Sequence, residues 1–322
     1  MNNVTGVRRV LEFLARPAVS PLIALLLACT FFSLQSERFL TGRNLSLIVQ
    51  QVVVVGTLAI GQTLVILAAG IDLSNGLVMA LGAVLMTKLA VVSGVPAVLA
   101  IVLGVGACAL FGLLNGLLVT KLKLPPFIVT LGTLNIAFAL VRIYTTSAVT
   151  GLPPAQTLLG NTFRVAGTSV TYGSVIMFAL YLLTWYVLSQ TPIGKHIYAV
   201  GGDPETARLT GIRVDRVLLG VYTFAGVLYG VAALLQIART EVGDPQVGQN
   251  ANLESITAVV LGGTSLFGGR GHIMGSLLGA LVVGVFRNGL QLTGVPSIYQ
   301  VLVTGVLVIL AVSVDQLSRQ SS

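Results

Sequence analysis

SLIVQQVVVVGTLAIGQTLVILAAGIDLSNGLVMALGAVLMTKLAVVS, residues 46–93, holds two apolar runs joined by a short break, Gly70-Ile-Asp-Leu-Ser-Asn-Gly76. Crossing the hydrocarbon core of a bilayer takes roughly 20 apolar residues as helix, and each run supplies about that many. Asp72, the one acid of the stretch, sits in the break and not in a run. A soluble core does not read this way. The spacing predicts two membrane spans, 46–69 and 74–93, meeting at a discontinuity near membrane depth.

Working outward, the same pattern recurs near 19–34, 95–119, 126–146, 172–190, 214–237, 253–267, 271–293 and 296–314. The expectation is therefore an all-α polytopic membrane protein of about ten transmembrane helices. The 253–267 segment is short for a crossing and joins the 70–76 break as a second discontinuous element. Composition agrees. Of 322 residues, 55% are hydrophobic and only 9% charged, with a mean hydropathy of +0.96, whereas a soluble domain carries about 25% charged residues. Apolar runs this long exclude the alternation of an outer-membrane barrel, and 37 glycines without a triplet period exclude collagen. Cys29 and Cys108 lie in apolar runs without partners at metal-ligand spacing and read as small buried hydrophobes. No metal site is expected.

The net charge of +8 forms no basic stripe interleaved with aromatics, so nucleic acid is not an expected partner. It reads as orientation. Arg8, Arg9 and Arg16 precede the first run, which lacks a small-residue cleavage site and reads as an uncleaved helix. With that terminus cytoplasmic, 11 basic residues fall inside, including the Lys195–Arg216 cluster, and 7 outside: Arg38, Arg43, Lys88, Arg142, Arg164, Arg239 and Arg287. An even number of spans returns the other terminus to the cytoplasm. The polar stretches 147–171, 191–213 and 238–252 are each too short for a core, so residues 1–322 are expected to form one transmembrane domain. Recurring glycines, Gly112 with Gly116, Gly226 with Gly230, and Gly271, Gly275 and Gly279, predict close helix packing.

The stretch Gly194-Lys-His-Ile-Tyr-Ala-Val-Gly-Gly-Asp-Pro-Glu-Thr-Ala-Arg-Leu-Thr-Gly-Ile212 punctuates a short helix. Asp203 suits the N-cap, Pro204 the first helical position, Glu205 the positive end of the dipole, and Gly211 a left-handed C-cap. So short a helix needs bracing by packing. It reads either as an amphipathic element on the lipid surface or as a knob for a cytoplasmic partner, presenting Ala207, Leu209 and Ile212 beside Arg208 and Arg213.

This loop resembles the coupling loop of sugar-importing ABC permeases of the ribose type. So do Gly70–Gly76, Gly112-Leu-Leu-Asn-Gly-Leu-Leu-Val119, Lys123-Leu-Pro-Pro-Phe-Ile-Val-Thr-Leu-Gly-Thr133 and Val260-Leu-Gly-Gly-Thr-Ser-Leu-Phe-Gly-Gly-Arg-Gly271, in the family's order. Asp203 stands where that family has asparagine, Arg208 where alanine is common, and Glu254 where aspartate is usual. The resemblance implies a permease domain over 1–322 in the bacterial inner membrane, which translocates a monosaccharide delivered by a periplasmic binding protein. It further implies a second permease subunit, as homodimer or heterodimer, and two ATP-binding cassette ATPase subunits or one fused tandem ATPase. ATP and Mg would sit on those partners, with no cofactor on this chain. Coupling residues would be Gly194, Ala199, Gly201, Asp203, Pro204, Glu205, Ala207, Arg208, Leu209, Gly211 and Ile212.

For the pathway, hydroxyl-rich sugars call for amides, hydroxyls and aromatic faces. Asp72, Ser74, Asn115, Phe127, Thr130, Thr133, Asn135, Glu254 and Asn288 are the candidates, beside Gln50, Gln51, Gln62, Thr63 and Gln291. Asp72 also suits a cap on the next helix and Glu254 a dipole partner, while Lys88, Arg142 and Arg287 suit snorkelling from span ends. An ion-coupled secondary transporter would want more mid-span acids. A branched-chain amino acid permease is the other alternative, and an intramembrane enzyme finds no catalytic pattern, His196 and His272 being placed in loops.

Overall fold

The computed structural model describes residues 19–165, 167–296, 298–303, 305, 306, 309 and 313. The basic cluster Arg8, Arg9 and Arg16 lies outside these residues, as does much of the expected span 296–314. Twelve α-helices are bounded within these residues, beside a 3-10 turn at Leu158–Gly160 and further helical residues at 298–303: α1 (Val19–Gln35), α2 (Gly42–Leu67), α3 (Asn75–Val91), α4 (Ala97–Lys121), α5 (Pro126–Tyr144), α6 (Pro154–Thr157), α7 (Tyr172–Gln190), α8 (Pro192–Gly202), α9 (Pro204–Leu209), α10 (Val214–Thr240), α11 (Ala251–Leu261) and α12 (Ile273–Leu292). Six of them, α2, α4, α5, α7, α10 and α12, are long and apolar enough to cross a membrane, and α1, α3 and α11 are shorter apolar helices. The chain is an all-α polytopic membrane protein.

α2 is apolar all round and accordingly runs through the middle, buried from Val52 to Leu67. α10 packs most extensively on α4 and α2, and α12 pairs with α11, α2 and α1. The outer faces of α4, α5 and α7 keep large apolar side chains exposed, among them Leu103, Leu110, Ile128 and Leu182. A continuous apolar exterior is what lipid solvates.

The discontinuities fall where the sequence reading put them. α2 stops at Leu67 and α3 starts at Asn75, with Ala69 at φ 59° between them. α11 is 11 residues long and ends well before α12 begins. Small residues bring the helices together: a Cβ on Gly112 would stand 2.2 Å from the Tyr222 carbonyl oxygen, and one on Gly279 1.9 Å from that of Ala258. Gly271, expected in the same stripe, instead lies ahead of α12 in an extended loop against the Thr264 side chain.

Two elements were not anticipated. A two-stranded antiparallel hairpin, β1 (Thr162–Val165) with β2 (Thr168–Thr171), interrupts the 147–171 loop, and its Ser169 carbonyl accepts from the Ser46 hydroxyl of α2. The 191–202 stretch, read as loop, is the helix α8.

Overpacking costs about 1–3 kcal/mol where neighbours cannot move. Gly112→Leu is therefore expected to lower the melting temperature of the detergent-solubilised protein. Gly106→Leu, on the same helix but with no atom within 4 Å of its Cβ position, is expected to leave it unchanged.

Candidate functional site

Three places collect the polar side chains. The first is the break between α2 and α3. Asp72 is fully buried, its Oδ1 accepting from the Ser74 N–H (2.8 Å) and hydroxyl (2.6 Å), its Oδ2 from the Tyr229 hydroxyl (3.1 Å). The Asn115 amide donates to Ser74 Oγ at 3.1 Å and accepts from the Thr133 hydroxyl at 2.8 Å; Thr130 donates to the Ile71 carbonyl at 2.9 Å. This chain of bonds ties α3, α4, α5 and α10 to an irregular segment, which apolar surroundings tolerate only when its polar groups find partners. Gln62, Asn75 and Ser255 form a second bonded set across α2, α3 and α11, and Asn44 donates to Asn288 at 2.9 Å.

The second place is a polar cleft of about 410 Å³ that abuts the α3 side of this break, where Gly76 packs against Gly248 and Ala251 of the cleft wall. It forms where α10 ends, α11 begins and α12 passes. Glu254 and Arg287 face each other across it at 3.4 Å. Gln51, Gln236, Arg239, Gln246, Gln249 and Asn250 bring further amides and a second guanidinium to its walls. Gln51 Oε1 is buried there without a partner among the described residues. Unpaired buried acceptors carry a desolvation cost, and a hydroxyl-bearing ligand would relieve it.

The third place is the α8–α9 knob at the opposite end. Asp203 caps α9 through bonds from the Glu205 and Thr206 N–H groups (3.0 and 3.1 Å) and the Thr206 hydroxyl (2.6 Å), which hold its carboxyl below the usual carboxylate range. The cap is thus intact above the ordinary aspartate pKa and is lost only as pH falls through the lowered value. Gly211 closes the helix at φ +89°, with Ile212 N–H bonded to the Ala207 carbonyl at 3.1 Å. Leu209 projects, 87% exposed, and Glu205 pairs with Arg208 at 2.9 Å. Ala207, expected on the presented face, turns inward instead, 3% exposed in a small cluster with Val200 and Val214. It braces the knob. Gly201 is pressed against the end of α2, where a Cβ would stand 1.7 Å from the Leu67 carbonyl oxygen; Gly194 is similarly tight against Leu188, while Ala199, Pro204 and Arg208 are exposed.

The structure thus gathers Asp72, Ser74, Asn115, Thr130 and Thr133 into one internal network, none of which lines the cleft. Phe127 and Asn135 lie exposed on the outer side of α5. Of the pathway candidates named from sequence, Glu254 and Gln51 line the cleft. Gln236, Arg239, Gln246, Gln249, Asn250 and Arg287 were missed as a group; the clustering of amides and arginine at 236–250 was the available signal. Arg287, read as snorkelling, is paired. Lys88 reaches the Tyr144 carbonyl and lies 4.4 Å over that ring, and Arg142 sits 5.6 Å from the Phe138 ring.

A family model described as "Branched-chain amino acid transport system / permease component" matches residues 44–312. The chain belongs to this permease family. Within it, the chain is 44% identical to the fructose import permease protein of Rhizobium meliloti, over 94% of this chain and 86% of the relative. It is 39% identical to the ribose import permease protein of Bacillus subtilis, over 92% of each, and 33% to the D-allose transport system permease protein of Escherichia coli, over 92% of this chain and 90% of the relative. No solved structure matches it significantly.

Removing a buried acceptor leaves its donors unpaired at about 1–3 kcal/mol. Asp72→Ala, which strands the Ser74 and Tyr229 donors, is expected to lower thermal stability in detergent markedly more than Asp72→Asn.

Proposed function

We propose that this chain is the membrane-spanning permease subunit of an ATP-driven ABC importer that carries a monosaccharide across the bacterial inner membrane. Residues 1–322 form one permease domain of about ten spans, both termini cytoplasmic, with the α8–α9 knob facing the cytoplasm. The observation that carries the reading is the identity, over nearly the whole chain, to permeases named for fructose, ribose and D-allose import. The site agrees with it in chemistry. An uncharged, hydroxyl-rich solute is matched by amides and by a carboxylate and guanidinium that neutralise each other, and the polar cleft offers both.

In this reading a periplasmic binding protein releases sugar toward the cleft, where Glu254, Arg287, Gln51 and Gln236 receive it. A second permease subunit completes the passage. ATP and Mg act on two ATPase subunits, or one fused tandem ATPase, docked on the knob at Leu209, Arg208 and Ile212. The chain itself is a transport subunit and holds no nucleotide. The Asp72 network keeps the break rigid and is not a stop on the sugar's route. The ion-coupled alternative finds little support, since Asp72 has its bonds filled and Glu254 is paired.

Reconstituted with its ATPase and binding protein, Glu254→Gln is expected to lower sugar uptake at least several-fold while ATP hydrolysis persists. Gly211→Val strains a β-branched residue at positive φ by more than about 1 kcal/mol and re-aims the knob; Leu209→Glu places charge in the docking contact. Both are expected to insert normally and to lose uptake relative to ATP hydrolysis. Normal transport by both would remove the knob from the coupling path, and proton- or sodium-driven uptake by the purified chain alone would replace the ABC reading. A cysteine at the exposed position Thr150 should react with an impermeant thiol reagent from outside, and one at Glu205 only after permeabilisation.

A further inference from the structure

An apolar groove of about 520 Å³ runs between α7, α8 and α10 near the knob. Leu183 and Val187 of α7, Ile193 of α8, and Val217, Val221 and Phe224 of α10 form its walls. α7 and α10 are both long and apolar enough to cross a membrane, so two of the groove's walls come from candidate spans. Its polar end is marked by His196 and Arg216. Arg216 also lines an adjoining cleft of about 400 Å³, whose walls carry Lys121, Arg208 and Arg213 against a single acid, Asp215. Arg208 is engaged by Glu205, whereas the Lys121, Arg213 and Arg216 side chains have no ion pair among the described residues. An apolar groove thus meets, at Arg216, a cleft with an excess of cationic donors.

We propose that this groove and cleft together bind one anionic phospholipid, with an acyl chain along α10 between Val217 and Phe224 and its phosphate held by Arg216 and the neighbouring basic side chains. Charge complementarity selects this occupant. An apolar protein segment would satisfy the walls but not the concentration of cations at their mouth, and a zwitterionic lipid brings no net charge to them. Basic pockets between spans are established headgroup sites in general, and each lysine or arginine near an anionic surface contributes about fivefold in affinity. The proposal is independent of which solute the chain carries.

Gly220 supplies a clean test. It lies on the groove face of α10 between Arg216 and Phe224, and a Cβ there would meet nothing within 4 Å. Gly220→Leu therefore fills the slot without disturbing any packed neighbour, and it improves helix propensity. The purified full-length chain would be examined by native mass spectrometry with palmitoyl-oleoyl phosphatidylglycerol and with phosphatidylcholine bearing the same tails. The wild type should bind the anionic lipid at least fivefold more tightly. Arg216→Gln should abolish that preference, and Gly220→Leu should weaken both lipids. Equal binding of the two lipids by the wild type would overturn the proposal, as would undiminished phosphatidylglycerol binding in Gly220→Leu. Competition by free glycerol phosphate as effective as the intact lipid would mean the cleft is a phosphate site and the groove idle. Loss of the lipid whenever the ATPase subunits are added would assign the basic cleft to that protein partner instead.

Discussion

Every backbone N–H and C=O shielded from water must find a partner, and this fold interrupts its buried helices twice. The first interruption closes on itself in part, Ala69 N–H bonding to the Ile66 carbonyl and Gly70 N–H to that of Val65, both at 2.9 Å. The second does likewise, with Thr264 N–H bonded to Val259 and Ser265 N–H to Arg270. What neither can satisfy alone they share: Gly269 N–H donates to the Leu67 carbonyl at 3.0 Å. The two breaks therefore have to lie side by side, and that requirement fixes α2 against the α11–α12 pair. Asp72 completes the arrangement by taking the donors that start α3 together with a tyrosine from α10.

Much of this architecture is legible in the sequence because bilayer burial writes itself as long apolar runs. The break at 70–76 is visible as glycines and an acid between two such runs, and the short segment after 250 as a run that ends too soon. The caps of α9 are equally plain, since Asp203, Pro204 and Gly211 act within a few residues of one another and need no tertiary information. The resemblance to ribose-type sugar permeases rested on ordered blocks of this local kind, and the family match over residues 44–312 agrees with it.

The cleft was not legible, for a physical reason. Gln51, Gln236, Arg239 and Arg287 come from three different helices, and nothing in periodicity says that their ends converge. An arginine near a span end reads as snorkelling unless its carboxylate is in view, and Glu254 lies 33 residues away along the chain. The direction of Ala207 was hidden similarly: on a helix of six residues, the buried face is chosen by Val200 and Val214, which lie outside it. The β-hairpin did leave a signal. Thr162-Phe-Arg-Val and Thr168-Ser-Val-Thr are rich in β-branched residues and flank Gly167 at φ +78°, yet so short a pair is overshadowed by the apolar runs on either side.

The contacts also limit how the two ends of the molecule can move. Gly275 and Gly279 sit so close to the carbonyls of Gly262 and Ala258 that α11 and α12 have no room to slide past each other, and they behave as one body. At one end of that body the 268–271 loop touches Gly201 of α8 and Tyr198, whose hydroxyl donates to the Gly271 carbonyl at 2.9 Å. At the other end lie both partners of the Glu254–Arg287 pair. A push on the knob thus meets the α11–α12 body directly, through backbone contacts that leave no space for a side chain to absorb it. Rotation of that body would change the geometry of the cleft walls supplied by α2 and α10 relative to Glu254 and Arg287, without any of the cleft residues touching the knob. Contiguity of this kind is the precondition for coupling between distant sites, and here it consists of a few glycine contacts that a single added methyl group would wedge apart.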